Sequence, residues 1–167
     1  MLRTGEGVRR VLGDFGSEDG AATLVVVAGL HGNEPAGVLA AQRVARTLAE
    51  GARTLQGRLL LLAGNLPALR KGVRYLDRDL NRAWTEARVR ALRNGQGAGA
   101  SAAAEDGEQR ELLRILEGVV RGARAPVCIL DLHTTSGAGA AFTTVADTLP
   151  NRALALRLPV PVVLGLE

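Results

Sequence analysis

Apolar positions fall in short blocks along this chain, and the spacing inside each block changes from one to the next. Ala22–Ala28 ("ATLVVVA") is a near-continuous β-branched run of the kind that forms a buried strand. Pro35–Glu50 follows with apolar residues at helical spacing (Val38, Leu39, Ala41, Val44, Leu48), which predicts a helix after a tight turn. "GRLLLL" (Gly57–Leu62) predicts a second strand. Asn65–Thr85 is polar and has no clean period, so it reads as a long loop of the kind that often carries function. Residues 95–107, mostly Gly and Ala, read as a mobile excursion. Glu108–Gly122 puts Leu112, Leu113, Leu116, Val119 and Val120 on one helical face, and "VCILDL" (Val127–Leu132) predicts another buried strand between Pro126 and a Thr-Thr-Ser-Gly turn. Short strands near Phe142–Val145 and Val160–Leu164 complete the pattern.

Strands alternating with helices predict an α/β layered fold, with a sheet mostly parallel at its centre. Ligands of such sheets gather beyond the carboxyl ends of the strands. The length of 167 residues suits one domain. There is no long apolar run to span a membrane and no apolar secretory core near the start. With a single cysteine, Cys128, this makes the cytoplasm the expected compartment. The net charge of +4 comes almost wholly from arginines spread through helices, and aromatics are only 2% of the chain, so a nucleic-acid surface is not expected and a small anionic ligand fits the charge better.

The chain has two histidines, His31 and His133, each just beyond a predicted central strand. "HGNE" (His31–Glu34) adds a carboxylate three residues on, with Gly32 letting the backbone bend so that both side chains share one space. Two His and one Glu form a ligand set of catalytic zinc that leaves a position open for water; iron or cobalt could occupy a similar site. Taken alone, a strand-end histidine is more often a hydrogen-bonded turn residue than a ligand; it is the two histidines at two strand ends, with Glu34, that favour a metal. Asp131 reads either as a partner orienting an imidazole or as a strand-end cap.

In this order, "HGNEPAG", "RYLDRDLNRAW" and "DLHTTSG" resemble the motifs of the succinylglutamate desuccinylase/aspartoacylase family, zinc hydrolases related in fold to the zinc carboxypeptidases. The resemblance implies a three-layer α/β/α fold with a mixed, centrally parallel sheet. It also implies one zinc ion per chain held by His31, Glu34 and His133, and a small anionic N-acyl amino acid as substrate, bound by Arg74, Asn81 and Arg82. A guanidinium suits that task because it grips a carboxylate in a two-pronged, charge-assisted fork. Without the resemblance, Arg82 reads as a surface arginine; Asp77 and Asp79 read as shaping the loop, with Asp79 alternatively pairing with an arginine.

The family also carries a general acid–base glutamate in a segment well after the second histidine motif, and no such segment is recognisable before Glu167. Glu105, Glu108, Glu111 and Glu117 read as solvated, so the catalytic base is unassigned and the chain reads as the amino-terminal part of a longer catalytic domain. The expected activity is hydrolysis of the amide bond of N-acyl amino acids. The alternatives are a metal-holding α/β module that binds an anionic ligand or partner without turnover, and a plain arginine-rich interaction domain.

Overall fold

The computed structural model describes residues 7–17, 22–51, 54–96, 102–135 and 137–165. The chain divides into two units, residues 1–134 and 135–167. The first holds a four-stranded sheet of β1 (Val11–Phe15), β2 (Thr23–Ala28), β3 (Arg58–Ala63) and β4 (Val127–Leu132), in the order β1-β3-β2-β4. β2 runs parallel to both β3 and β4, and β1 is an antiparallel edge on β3, so the sheet is mixed with a parallel centre as expected.

Alternate residues of the central strands point to opposite faces, and each face carries its own helix. On one face, Val25, Val27, Leu60 and Leu62 pack with Leu112 and Val119 of α4 (Ala104–Gly122). On the other, Val26 and Leu61 pack with Ala41 and Ala45 of α1 (Ala36–Ala49). Burial of those four strand residues on the first face alone removes apolar side chains worth about 1.5–3 kcal/mol each from water. The buried stripe of α1 is Val38, Ala41 and Ala45, while Leu39 and Val44 turn outward; the small alanines let the helix lie close to the sheet. Val120 of α4 likewise faces away from the core.

Two expectations change. Asn65–Thr85 is not all loop: it contains α2 (Leu66–Lys71) and a 3-10 turn at Leu80–Arg82. Asn65 caps α2 by accepting from the Ala68 N–H, and Gly72 ends it in the left-handed conformation, but six residues are too few to leave a readable period. α4 begins at Ala104, so the last residues of the 95–107 stretch are helix, and residues 97–101 lie outside the described residues. A further helix, α3 (Glu86–Arg93), starts at a Thr85 cap and buries only Leu92.

The second unit is small. β5 (Thr143–Val145) and β6 (Val162–Leu164) pair in parallel, joined through α5 (Leu149–Ala155), whose Ala155 is buried.

Candidate metal centre

β2 and β4 are parallel neighbours in register, with Ala28 opposite Leu132, so whatever follows each strand is delivered to the same end of the sheet. His133 is the next residue after β4, and His31 comes three residues after β2. Their rings lie 5.0 Å apart between centroids, tilted by 54°. Glu34 sits at the entrance to α1, its N–H donating to the His31 carbonyl at 3.1 Å. Gly32 is needed for a reason other than backbone bending. A Cβ there would lie 2.0 Å from the carbonyl carbon of Ala68 in α2, so only glycine admits that helix against the turn.

The Glu34 carboxylate lies between the two rings. Its Oε1 is 2.8 Å from His31 Nδ1, and its Oε2 is 3.2 Å from His133 Nδ1 and accepts from the Thr134 N–H at 2.7 Å. One ligand atom from each of the three residues can be chosen so that all lie within 4.8 Å of one another. Nitrogen and carboxylate-oxygen donors at this spacing suit a divalent ion such as zinc, and the group could hold one. His31 and Glu34 are buried and His133 is exposed, so the centre opens on one side.

The outer nitrogens are engaged as well. His31 Nε2 lies 3.0 Å from Asp79 Oδ1, and His133 Nε2 lies 2.5 Å from Asp131 Oδ2. Each imidazole thus presents Nδ1 inward and is held by a carboxylate behind it, the arrangement that fixes the tautomer of a ligating histidine. Asp131, at the end of β4, has its carboxylate against the His133 ring. Asp79 does both things considered for it: it accepts from the Asn81 N–H to cap the 3-10 turn, and its Oδ2 pairs with Arg74 at 3.1 Å. Its contact with His31 is the element the sequence pattern does not reveal, because the two lie far apart in the chain and Asp79 sits in an aperiodic stretch.

These contacts set the charges. Burial pushes the Glu34 carboxyl up, but the Thr134 N–H and the two histidines outweigh it and hold the group below the usual carboxylate range. Asp79 behaves likewise: burial raises it, and His31, Arg74 and the Asn81 N–H together lower it further. The hydrogen bond to Asp131 raises His133 above its ordinary value against the opposing effect of burial, with Glu34 adding to the rise.

The three residues linked to substrate binding are placed differently. Arg74, half exposed, reaches the centre, with one nitrogen 3.7 Å from Glu34 Oε1. Arg82 is exposed, and among the described residues its guanidinium has no hydrogen-bond or ion-pair partner. Asn81 is partly buried beside it.

The expectation that the helical glutamates are solvated fails for two of them. Glu105 is 1% exposed and accepts four hydrogen bonds, described below. Glu108 accepts from the Leu66 N–H at 2.9 Å and pairs with the buried Arg10, which Glu111 also meets at 3.1 Å. Glu117 pairs with Arg93 near the surface. Glu167 lies outside the described residues.

Comparison with known proteins agrees with this architecture. The succinylglutamate desuccinylase from Burkholderia lata is 51% identical over 61 residues, which are 36% of this chain and 17% of that protein. The crystal structure of the succinylglutamate desuccinylase from Chromobacterium violaceum is similar with a TM-score of 0.59 and 32% identity, over 70% of this chain and 35% of that one. The desuccinylase structure from Vibrio cholerae shares the fold at a TM-score of 0.61 and 19% identity, over 75% and 34% of the two chains. The match therefore spans well under half the length of these relatives. Among the described residues, no helix is long and apolar enough to cross a membrane. The succinylglutamate desuccinylase/aspartoacylase catalytic domain matches residues 21–158, most of the chain, and the chain belongs to that family.

Proposed function

We propose that this chain carries the metal and substrate-anchoring part of a zinc-dependent hydrolase that cleaves the amide bond of N-acyl amino acids. The observation that carries the reading is the convergence of His31 Nδ1, His133 Nδ1 and the Glu34 carboxylate at one sheet end, in a chain of this family. Those three residues would hold the ion. When bound, zinc supplies Lewis-acid polarisation of the acyl carbonyl and acidifies water.

The protein's own residues do the rest. Asp79 and Asp131 keep each imidazole turned with Nδ1 inward, so the donors are in place before a ligand arrives. Arg82, unpaired among the described residues, is free to grip a substrate carboxylate, and Arg74 adds a second positive charge beside Glu34. Asn81, next to Arg82, fixes the pose of the bound acyl-amino acid. Proton delivery to the departing nitrogen needs an acid–base group, and Glu105, Glu108, Glu111 and Glu117 are each committed to other partners. That commitment favours a second reading for the 167-residue chain by itself: it binds metal and an anionic ligand with little turnover.

The test is calorimetric titration of the zinc-loaded chain with N-succinylglutamate and N-acetylaspartate, alongside a hydrolysis assay. Binding of one of them, weakened by about 1–3 kcal/mol in Arg82→Lys, supports the reading. Zinc-loaded protein that binds neither refutes it. Rapid hydrolysis would discard the second reading.

A further inference from the structure

The segment that carries Arg74 and Asp79 has no regular structure between Gly72 and Leu80, yet its middle is bonded to one buried carboxylate. Oε1 of Glu105, in the first turn of α4, accepts from the Leu76 N–H at 2.7 Å and from the Asn65 side-chain amide at 3.1 Å. Its Oε2 accepts from the N–H groups of Asp77 and Arg78, both at 3.1 Å. Four donors use the full accepting capacity of a carboxylate, so nothing remains for a ligand or a proton transfer. Burial raises this carboxyl, but the Leu76 N–H, the Asn65 amide and the other two N–H groups together hold it below its ordinary value, so it is charged in place.

The link is reciprocal. Asp77 Oδ2 accepts from the Ala104 N–H at 2.8 Å and so caps α4, and Gln109 donates to the Ala83 carbonyl at 2.7 Å. α4 therefore holds the segment at Leu76–Arg78 and again at Ala83, on both sides of Asp79, Asn81 and Arg82. Asn65 joins this to the metal centre's own strand, because its N–H donates to the carbonyl of Gly29, two residues before His31.

We propose that Glu105 is a positioning residue: by binding three consecutive N–H groups it fixes the loop that carries Arg82 and that holds Arg74 and Asp79 against the histidine–glutamate centre. The proposal rests on the reading of that loop as the anchor for an anionic substrate. A segment of this length left unanchored must be ordered each time a ligand binds, and that ordering lowers affinity. The three metal-binding side chains stand just after β2, just after β4 and just before α1 instead, so loosening the loop acts on the substrate far more than on the ion.

Glu105→Gln replaces one acceptor oxygen with an amide that cannot accept. In the zinc-loaded chain, its dissociation constant for N-succinylglutamate should rise about tenfold or more, while zinc affinity falls no further than in Asp79→Asn. A folded Glu105→Gln protein that binds N-succinylglutamate within about twofold of the wild type overturns the proposal. A parallel loss of zinc and ligand affinity beyond that of Asp79→Asn overturns it too, since it marks general destabilisation. Hydrogen exchange on the unaltered protein decides the matter even where the variant does not fold. Corrected for intrinsic rates, the amides of Leu76, Asp77 and Arg78 should exchange at least about tenfold more slowly than that of Tyr75, which has no hydrogen bond among the described residues. Equal rates overturn the clamp. If the zinc-loaded wild type fails to bind N-succinylglutamate, the functional reading fails by itself, and the exchange rates still decide whether Glu105 holds the loop.

Discussion

Replacing Asp131 with asparagine is the cleanest way to ask whether the carboxylates behind the histidines matter. Asp131 lies on β4 and contacts His133 Nε2 at 2.5 Å, whereas Asp79 also pairs with Arg74 and caps a turn, so its loss has several consequences. A hydrogen bond to a charged group is worth about 1.5–3 kcal/mol. Both partners here are partly exposed, at 29% and 31%, so solvent screening puts the effect near the lower end, about 1–1.5 kcal/mol, or about tenfold in zinc dissociation constant. Asparagine can still accept the Nε2 proton through its carbonyl oxygen, and alanine cannot, so Asp131→Ala should lose more than Asp131→Asn.

The pH dependence has a definite sign. Asp131 raises His133 above its ordinary 6.5 in the metal-free protein, so protons compete with the metal more strongly in the wild type than in the variant. The loss of affinity in Asp131→Asn should therefore be greatest above the folded His133 value, where no proton must leave, and should shrink as pH falls below it. Zinc competition against a chromogenic chelator across pH measures both quantities. Affinities within about twofold of the wild type at high pH, or a gap that widens on acidification, would refute the reasoning.

Gly32→Ala should cost about 1–3 kcal/mol or more, because its Cβ meets the backbone of Ala68 and no side-chain rotation can relieve the clash; unchanged thermal midpoint and zinc affinity would contradict the close approach. Glu105 has a folded value held below 4.5, so its contribution to stability is complete above that pH and is lost as pH falls through the lower folded value. Glu105→Gln should accordingly flatten the acid limb of the stability curve, and denaturant unfolding that shows the same acid slope in both proteins would sink the claim.

The sequence pattern makes the scaffold of the centre readable because β2 is a buried strand and β4 runs parallel beside it. β4 itself is not the buried strand its apolar run predicts, since it lies at the edge of the described sheet with Ile129 and Asp131 exposed. Val127–Leu132 begins and ends where Pro126 and the following Thr-rich turn predict, and both histidines stand just past their strands. Two other elements of the fold are harder to see for physical reasons. β1 is an edge strand with an irregular register near Gly13 and no alternation of buried and exposed residues, so it lacks the period of a half-buried strand. α3 buries one side chain, Leu92, and half of its eight residues are charged. The largest departure is the start of α4, where Glu105, Asp106 and Gln109 are buried although acidic and amide residues are normally exposed. What pays for their burial is a set of backbone N–H groups and arginines drawn from the Asn65–Arg88 region, which pairing by sequence distance cannot foresee. The same holds for Asp79, whose partners His31 and Arg74 become neighbours only once the sheet end is assembled.

The central claim is that His31, Glu34 and His133 together hold a metal ion, and elemental analysis of the purified chain after zinc loading and desalting tests it most directly. The account predicts about one zinc per wild-type chain and essentially none in the His31→Ala/His133→Ala double variant, with both proteins folded by circular dichroism. Equal zinc content in the two proteins would contradict it.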